Sequence, residues 1–260
     1  MTPEQLPQDL LKRIGSVVWH RIAIGQSGAR TYRLEHAEGP STFMKIADIG
    51  CPDTLRAEAD RLTWLQGKLP VPGLLDYRQQ AGRETLWMSG VPGIHAADAS
   101  WTDRPHDVAR AMAAGLRHVH ALDIVDCPFD QRVQIRVREA GRRLAAGFVD
   151  ADDFDSERAG CSADELYAQL LATVPPDEDL VFTHGDYTLP NVMLDEELGT
   201  GFIDWGRSGI GDRYQDIALA ARSLAGDYGS SSAEVFLSAY GLSEPDRDKL
   251  EFYRLLDEFF

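Results

Sequence analysis

Residues 180–206 read LVFTHGDYTLPNVMLDEELGTGFIDWG and contain two short apolar runs, each of which leads to an aspartate. The first run leads into HGD, which ends at Asp186, with Asn191 five residues later; the second leads into DWG, which begins at Asp204, thirteen residues after Asn191. Short apolar runs of this kind are typical of buried strands, so we expect both aspartates where a strand emerges into a loop. A single Asp/Asn pair most often belongs to a turn or a helix cap. Two motifs in this order along the chain, each after an apolar run, favour a functional site.

The side chains in these two pieces match the needs of phosphoryl transfer from a metal–nucleotide complex. One carboxylate, for which Asp186 is the candidate, can orient the attacking hydroxyl. An amide oxygen and a second carboxylate, for which Asn191 and Asp204 are the candidates, can hold Mg²⁺ on the phosphates. The Asp-x4-Asn spacing equals that of the protein-kinase catalytic loop, and DWG stands where DFG would be expected. The sequence therefore predicts a phosphotransferase.

A lysine and an acidic residue upstream are candidates for the nucleotide site. Lys45 lies inside the strand-like run FMKIAD, where a charge between two apolar residues needs a reason. Glu58, thirteen residues later, lies on a predicted helix around Thr54–Leu65 and is the expected partner. Asp53 and Asp60 lie nearby, and a surface position for Glu58 is the alternative.

Weaker signals add further candidates for the nucleotide site. The turn GQSG (25–28) joins two predicted strands, and its glycines would let backbone amides approach phosphate oxygens, although the turn also fits an ordinary hairpin. One aromatic residue two positions before the lysine shares its strand face, since strand side chains alternate, and it fits either adenine stacking or the core. The candidates are Ser27, Gly28 and Phe43, with Ser89 and Val91 from the connection near Ser89–Gly93.

The pattern along the chain divides it into two parts. Residues 1–92 read as a strand-rich nucleotide-binding lobe, and residues 93–260 as a mostly helical lobe for catalysis and substrate binding. In the second lobe, residues 107–123 repeat apolar side chains at steps of three and four, which predicts an amphipathic helix, and residues 247–260 predict another. The predicted fold class is α+β, with a small β-rich N-lobe and a larger helical C-lobe. The terminal phenylalanines should pack against this C-lobe.

The amino-acid composition limits the classes of partner that this protein is expected to bind. The chain has 42 acidic and 26 basic residues and a net charge of −16, which disfavours a nucleic-acid partner and permits a cationic ligand, although solubility alone could explain the acidity. No run of eighteen apolar residues predicts a membrane span, and the N-terminus has no secretory pattern. Three cysteines without metal-ligand spacing fit a reducing cytoplasm. We expect a cytoplasmic monomer.

Three segments resemble the aminoglycoside 3′-phosphotransferases, the kanamycin and neomycin kinases: VFTHGDYTLPNVMLD, GFIDWGRSGIGDRYQDIALAARSL and the terminal FYRLLDEFF. The resemblance runs from GQSGARTYRL to the last residue. It implies a two-lobed protein-kinase-like fold, with MgATP as phosphate donor and the 3′-hydroxyl of a cationic aminoglycoside as acceptor. By position, Asp186 resembles the catalytic aspartate, Asn191 and Asp204 the magnesium ligands, and Lys45 the nucleotide lysine.

The resemblance also implies a set of substrate contacts. The acidic stretch VDADDFDSERAG (149–160) corresponds to a loop over the antibiotic in the family. Because aminoglycosides carry several ammonium groups, their site must offer carboxylates within hydrogen-bonding reach. The candidates are Asp153, Asp155, Glu157, Arg207, Asp257, Glu258 and the carboxylate of Phe260.

Two features separate the chain from the protein kinases. The catalytic loop reads HGD rather than HRD, and only seven residues stand between Asp204 and Asp212, too few for a typical activation loop. We therefore expect constitutive activity and no peptide substrate. One alternative is a kinase of the same fold that acts on choline, homoserine or a macrolide, since such enzymes share HGD-x4-N. The other is a non-catalytic pseudokinase that serves as a binding module.

Overall fold

The computed structural model describes residues 6–22, 28–50 and 53–260, and its contacts divide the chain into two units, Met1–Val91 and Pro92–Phe260. The first unit is built on a five-stranded sheet of order β1-β2-β3-β5-β4, in which all neighbours pair antiparallel. Its elements are α1 (Gln8–Ile14), β1 (Val17–Ile22), β2 (Arg30–His36), β3 (Thr42–Asp48), α2 (Leu55–Leu65), β4 (Leu74–Gln80) and β5 (Arg83–Ser89).

The predicted pieces of the first unit are present. The two strands on either side of GQSG are β1 and β2, the run FMKIAD forms most of β3, and α2 begins after Thr54, whose side chain accepts a hydrogen bond from the Ala57 amide. Residues 25–27 of the turn lie outside the described part of the chain.

Sequence patterns did not predict α1 or β4. The helix α1 has only seven residues, which is too short to show a clear period, yet it buries Leu10 and Ile14 against the sheet residues Leu34 and Met44. The strand β4 carries mostly polar residues at one edge of the sheet, so it lacks the apolar alternation that identifies a strand.

The second unit is mostly helical, with two small sheets of order β10-β7 and β6-β8-β9. Its elements are β6 (Ile94–His95), α3 (Pro105–His120), α4 (Val133–Ala145), α5 (Ala163–Ala172), β7 (Leu180–Thr183), β8 (Val192–Leu194), β9 (Thr200–Phe202), β10 (Gly209–Asp212), α6 (Tyr214–Tyr228), α7 (Ser230–Tyr240) and α8 (Arg247–Asp257). An α+β fold with a β-rich first unit and a helical second unit is confirmed.

The apolar residues of the second unit pack as their spacing predicts. Helix α3 buries Val108, Met112, Leu116 and Val119 along one face. The chain end is held as expected, since Phe259 is fully buried. Within the described residues, no helix is both long enough and apolar enough to cross a membrane.

Candidate active site

The candidate catalytic loop, residues 184–191, follows β7 and is fixed by a buried carboxylate. Asp216, on α6, accepts hydrogen bonds from the backbone amides of His184 (2.7 Å) and Gly185 (2.8 Å). Gly185 has a φ of 86°, and a Cβ there would lie 2.1 Å from the carbonyl oxygen of Arg207, so no larger residue fits without a shift. These contacts determine the direction in which the chain enters Asp186.

Asp216 is itself supported from two other helices. The Nε2 atom of His120, on α3, lies 3.0 Å from the Asp216 carboxylate, and its Nδ1 atom lies 2.7 Å from the hydroxyl of Tyr240 on α7. Sequence reasoning missed this network. The available signal was an acidic residue directly before the apolar run IALAA (217–221) of α6, where a buried charge needs several partners.

Asp186 and Asn191 meet through a direct hydrogen bond. The side-chain amide of Asn191 donates to the Asp186 carboxylate (2.8 Å) and to the Asp186 carbonyl oxygen (2.9 Å). Burial raises the pKa of the Asp186 carboxyl, the charge of Arg207 opposes this, and the charges of Asp257 and Asp204 add to it. Asp186 is therefore suited to accept a hydrogen bond, and it lies within electrostatic reach of Asp204.

Asp204 occupies a strained turn beside this loop. Its φ of 64° lies in the left-handed region, which is uncommon for residues other than glycine. The preceding amide, that of Ile203, donates to the Asn191 carbonyl oxygen (3.0 Å), which ties the two segments together. Trp205 is fully buried, donates to the Phe202 carbonyl oxygen (3.1 Å) and packs on the His184 ring, with centroids 4.3 Å apart. The tryptophan of DWG thus anchors the turn that presents Asp204.

The donors at this place fit Mg²⁺ that arrives with a nucleotide. The Asn191 amide nitrogen is used by Asp186, so its oxygen is the atom suited to a cation, and Asp204 supplies a carboxylate. Mg²⁺ usually takes one or two carboxylates plus phosphate oxygens and water. Among the described residues, no group of three or more His, Cys, Asp or Glu is placed to hold a metal.

In the first unit, the predicted ion pair is confirmed. The Lys45 ammonium donates to both carboxylate oxygens of Glu58, at 2.9 and 2.8 Å. Their side chains are only 12 % and 4 % exposed. A charge pair taken this far out of water is costly unless each charge is well paired, which explains the bidentate contact. Lys45 is therefore held in one position on β3.

The other nucleotide candidates are spread along the first unit. Phe43 is half-buried, and a Cβ at Gly90 would lie 3.0 Å from its ring. The Ser89 hydroxyl accepts from the Gly73 amide at 2.8 Å. Gly28 is exposed just before β2, Val91 is half-buried at the end of the unit, and Ser27 lies outside the described residues.

In the second unit, the acidic segment, residues 149–160, meets the chain end through arginines. Arg222 on α6 donates to Asp155 (3.1 Å) and to Asp257. Asp153 and Glu157 are exposed. Sequence reasoning missed Arg222, although a lone cation on the apolar helix α6 calls for acidic partners.

Glu258 lies deeper than the expected substrate contacts. Its carboxylate accepts from the Asp155 amide (3.1 Å) and from Arg158 (3.1 Å), and its side chain is only 4 % exposed. Burial raises the pKa of Glu258 to about 7, although the hydrogen bond from Asp155 and the charge of Arg158 act in the opposite direction. Its position therefore supports the acidic segment from beneath, whereas the expectation placed it among the direct contacts.

The terminal residue lies among three arginines. An oxygen of Phe260 accepts from Arg207 (2.5 Å) and from Arg143 (3.2 Å), and the guanidinium of Arg136 lies 3.6 Å from the Phe260 ring centroid. Arg136 and Arg143 were not predicted. Their seven-residue spacing, two turns of helix on the face that also buries Val137, was the signal that could have revealed them.

Comparison with known proteins identifies the family of this chain. The model of the phosphotransferase enzyme family matches residues 18–253. Similar proteins include the aminoglycoside 3′-phosphotransferase of Niallia circulans, 41 % identical over 255 residues (98 % of this chain and 97 % of the relative). That of Streptomyces fradiae is 42 % identical over 254 residues (93 % and 95 %).

Solved structures give the same result. The aminoglycoside 3′-phosphotransferase of type VIII has a TM-score of 0.88 at 39 % identity and covers 97 % of each chain. The aminoglycoside phosphotransferase APH(3″)-Id of Streptomyces rimosus has a TM-score of 0.83 at 31 % identity, over 96 % of this chain and 95 % of that one. This chain therefore belongs to the phosphotransferase enzyme family and, within it, to the aminoglycoside 3′-phosphotransferases.

Proposed function

We propose that this chain transfers the γ-phosphate of ATP to the 3′-hydroxyl of aminoglycoside antibiotics of the kanamycin and neomycin type, and so confers resistance to them. The observation that carries the proposal is the Asp186–Asn191 hydrogen bond beside Asp204, in a protein 41 % identical to an aminoglycoside 3′-phosphotransferase. A Streptomyces rimosus relative, 30 % identical with a TM-score of 0.81, has been solved with ADP and streptomycin, which supports both the nucleotide and the class of acceptor.

Asp186 is the group that orients the acceptor. The hydroxyl oxygen forms a bond to the γ-phosphorus while the bond from that phosphorus to the bridging oxygen breaks and ADP leaves. Asp186 accepts a hydrogen bond from the hydroxyl and can take up its proton, which the raised pKa of this buried carboxyl favours. Because the transition state is usually loose, holding the hydroxyl in line contributes more than strong base catalysis. No phosphoenzyme is required.

In the first unit, the proposed nucleotide contacts centre on one lysine. Lys45, held by Glu58, is the cation for the nucleotide phosphates. Asn191 and Asp204 would hold Mg²⁺, which supplies positive charge against the phosphate oxygens when bound. Ser27, Gly28, Phe43, Ser89 and Val91 complete the proposed nucleotide contacts.

The acceptor is assigned to carboxylates of the second unit. Asp155 and Asp257 are half-buried, and Asp153 and Glu157 are exposed, so all four can reach an ammonium group. Arg207 and the Phe260 carboxylate complete the set, and Glu258 supports it from the buried side. Charge-assisted hydrogen bonds to several carboxylates suit a ligand with several ammonium groups.

The two alternatives are less well supported. A macrolide 2′-phosphotransferase of Brachybacterium faecium is only 21 % identical, with a TM-score of 0.56, which shows a shared fold alone. A pseudokinase is disfavoured because the phosphate lysine, its glutamate and the groups at 186, 191 and 204 are all present. We expect the protein to act as a cytoplasmic monomer, and light scattering after size exclusion tests the oligomeric state.

A coupled ADP-release assay with MgATP tests the function. It compares kanamycin with a kanamycin-like antibiotic that lacks the 3′-hydroxyl. Turnover of kanamycin alone is the expected result and identifies both the reaction and its site. Turnover of both compounds would move the reaction to another hydroxyl, and turnover of neither would contradict the phosphorylation of kanamycin-type aminoglycosides.

A further inference from the structure

The carboxylate of Glu84 joins the sheet of the first unit to the beginning of helix α2. Glu84 lies on β5 and is only 6 % exposed. One of its oxygens accepts a hydrogen bond from the backbone amide of Leu55 at 3.0 Å. Leu55 is the first residue of α2, where an amide has no acceptor within the helix. Because Glu84 reaches this amide from a strand 29 residues away, it fixes where the helix begins relative to the sheet.

The Glu84 carboxylate is itself held in one orientation. Its other oxygen accepts a hydrogen bond from the hydroxyl of Tyr77, on β4, at 2.5 Å. Burial, together with this hydrogen bond to Glu84, raises the pKa of Tyr77 to about 12, so the hydroxyl keeps its proton and remains a donor at neutral pH. The partial positive charge at the start of a helix also favours a carboxylate at this place. The side chain therefore links β4, β5 and α2.

Glu84 and Lys45 lie on the same face of the sheet. Glu84 is opposite Ala47 in the register of β5 and β3, and Lys45 lies two positions before Ala47. Strand side chains alternate, so both charged groups point to the side on which Lys45 binds Glu58 of α2. Leu55 and Glu58 are three residues apart, about 4.5 Å along the helix. Helix α2 is therefore attached to the sheet by polar contacts at both residues, less than one turn apart.

We propose that Glu84 is a positioning residue, which sets the place of α2 and, through Glu58, the position of Lys45 for the nucleotide phosphates. The inference rests on the proposed function, in which Lys45 binds those phosphates. Glu84 acts only through these two residues and transfers no proton or phosphate. Because phosphoryl transfer depends on placement, an ammonium group displaced by about 1 Å loses much of its contribution. The use of ATP therefore depends on Glu84, while the affinity for the acceptor does not.

Steady-state kinetics of Glu84→Ala test this role. At saturating kanamycin, kcat/KM for ATP should fall about tenfold or more, while the KM for kanamycin changes by less than about twofold. Glu84→Gln keeps an acceptor oxygen at the same reach, so it should recover to within about threefold of the unchanged protein. An unchanged kcat/KM for ATP in Glu84→Ala, or an equal rise in both KM values, would overturn the proposal. A Gln variant as impaired as the Ala variant would overturn it too, because the hydrogen bond would then not be the cause.

Ile14→Ala is the control for a general loss of stability. Ile14 lies on α1 and is buried in the cluster that contains Met44, on the opposite face of the sheet from Lys45. The variant should lower Tm without a selective change in kcat/KM for ATP. A selective fall as large as that of Glu84→Ala would show that loosening the first unit is sufficient, and would overturn the role of Glu84.

Tyr77→Phe covers the case in which Glu84→Ala does not fold. It removes the hydroxyl that orients Glu84 but leaves the Leu55 amide with its acceptor. We expect a selective fall of about threefold in kcat/KM for ATP, and no fall would overturn the proposal. Where both variants fold, their combination should be no worse than Glu84→Ala alone, since Tyr77 acts through Glu84. Multiplied effects would indicate separate roles and contradict the proposed route.

The unchanged protein separates this inference from the proposed function. If it is folded by its melting curve but neither turns over kanamycin nor binds MgATP in titration calorimetry, both are overturned. Binding of MgATP without turnover would overturn the proposed acceptor alone, and the Kd for MgATP of the same variants would then test Glu84. Kanamycin turnover by the unchanged protein, with no selective effect in the variants, would overturn the role of Glu84 alone.

Discussion

The catalytic loop and the acidic segment lie in the same unit but are stabilised in different ways. The loop is held by hydrogen bonds to the fully buried carboxylate of Asp216. The buried Arg158–Glu258 pair also anchors the acidic segment, but the carboxylates of Asp155 and Asp257 are held by partly exposed ion pairs such as Arg222–Asp155, in which the side chains are 28 % and 37 % exposed. Buried hydrogen bonds resist rearrangement, whereas partly exposed ion pairs exchange readily with water and with other ions.

This difference in stabilisation matches the tasks proposed for the catalytic loop, which orients the reacting hydroxyl, and for the acidic segment, which binds the polycation. A reacting hydroxyl must be placed within a fraction of an ångström, so its partner has to be rigid. A polycation can be bound by carboxylates that adjust to it, and arginines on those carboxylates keep them from repelling one another before the ligand arrives. We infer that the loop determines the rate and the segment determines the affinity, which the following variants test.

The largest effect is expected for Asp216→Ala. The change leaves the amides of His184 and Gly185 buried without their acceptor and removes the partner of His120. We expect a loss of about 3–5 kcal/mol in the free energy of unfolding, as for a buried charge partner. Urea unfolding measures it, with Asp227→Ala, an exposed position on the same helix, as the control. Equal losses in both variants would show that Asp216 does not stabilise the loop.

Asp186→Ala should remove activity and leave the fold intact. We expect kcat to fall at least about a hundredfold, near the lower range for acid–base residues, equivalent to about 2.7 kcal/mol. The KM for ATP should change little, because the side chain faces the acceptor hydroxyl in the proposed mechanism. The coupled assay and a melting curve measure both properties, and near-normal turnover would remove Asp186 from its assigned role.

Arg222→Gln tests the acidic segment. Losing the shared cation should let Asp155 and Asp257 separate, and a partly exposed pair contributes about 1 kcal/mol, so the kanamycin KM should rise about fivefold with kcat little changed. Arg110→Gln on α3, where an exposed arginine pairs with Asp107, is the control. A fall in KM would show instead that the guanidinium occupies the place of a substrate ammonium group.

Glu258→Gln should give the smallest effect, seen in the pH dependence of stability. Burial raises the pKa of Glu258 to about 7 from its usual value of 4.5, so the folded protein holds this proton more tightly than the unfolded chain does. The resulting stabilisation is fully present below pH 4.5 and is lost as the pH rises through about 7. Between pH 5 and pH 8 the unchanged protein should lose about 2–4 °C more in Tm than the variant. An equal change in Tm between pH 5 and pH 8 in both proteins would contradict the raised pKa of Glu258.

Sequence reasoning succeeded where local pattern and chemistry coincide. The strands that lead into HGD and DWG, the helix after Thr54 and the Lys45–Glu58 pair are present in the structure. The pair was predictable because a cation within an apolar strand needs an acidic partner on the next element. The short helix α1 and the polar strand β4 were not predicted, since neither carries a periodic apolar signal.

The partners within the supporting network were not predictable from the chain, although some of its charged residues leave a signal in the sequence. Asp216 holds a loop about thirty residues before it, and Arg143 binds a residue 117 positions after it. The neighbours of each residue in sequence can indicate that its charge is buried, but they do not indicate which residue it binds. Their partners are set by how α4, α6 and α8 pack.

The order and identity of the proposed reacting groups can be read from the chain, because Asp186, Asn191 and Asp204 lie on short connections after apolar strands. Which carboxylates face a ligand and which support them from beneath depends on folding. Asp155 and Glu258 look alike in the sequence, yet the side chain of the first, beside Arg222, is 37 % exposed, whereas that of the second, beside Arg158, is only 4 % exposed. Burial and long-range pairing are properties of packed helices, so they arise only in three dimensions.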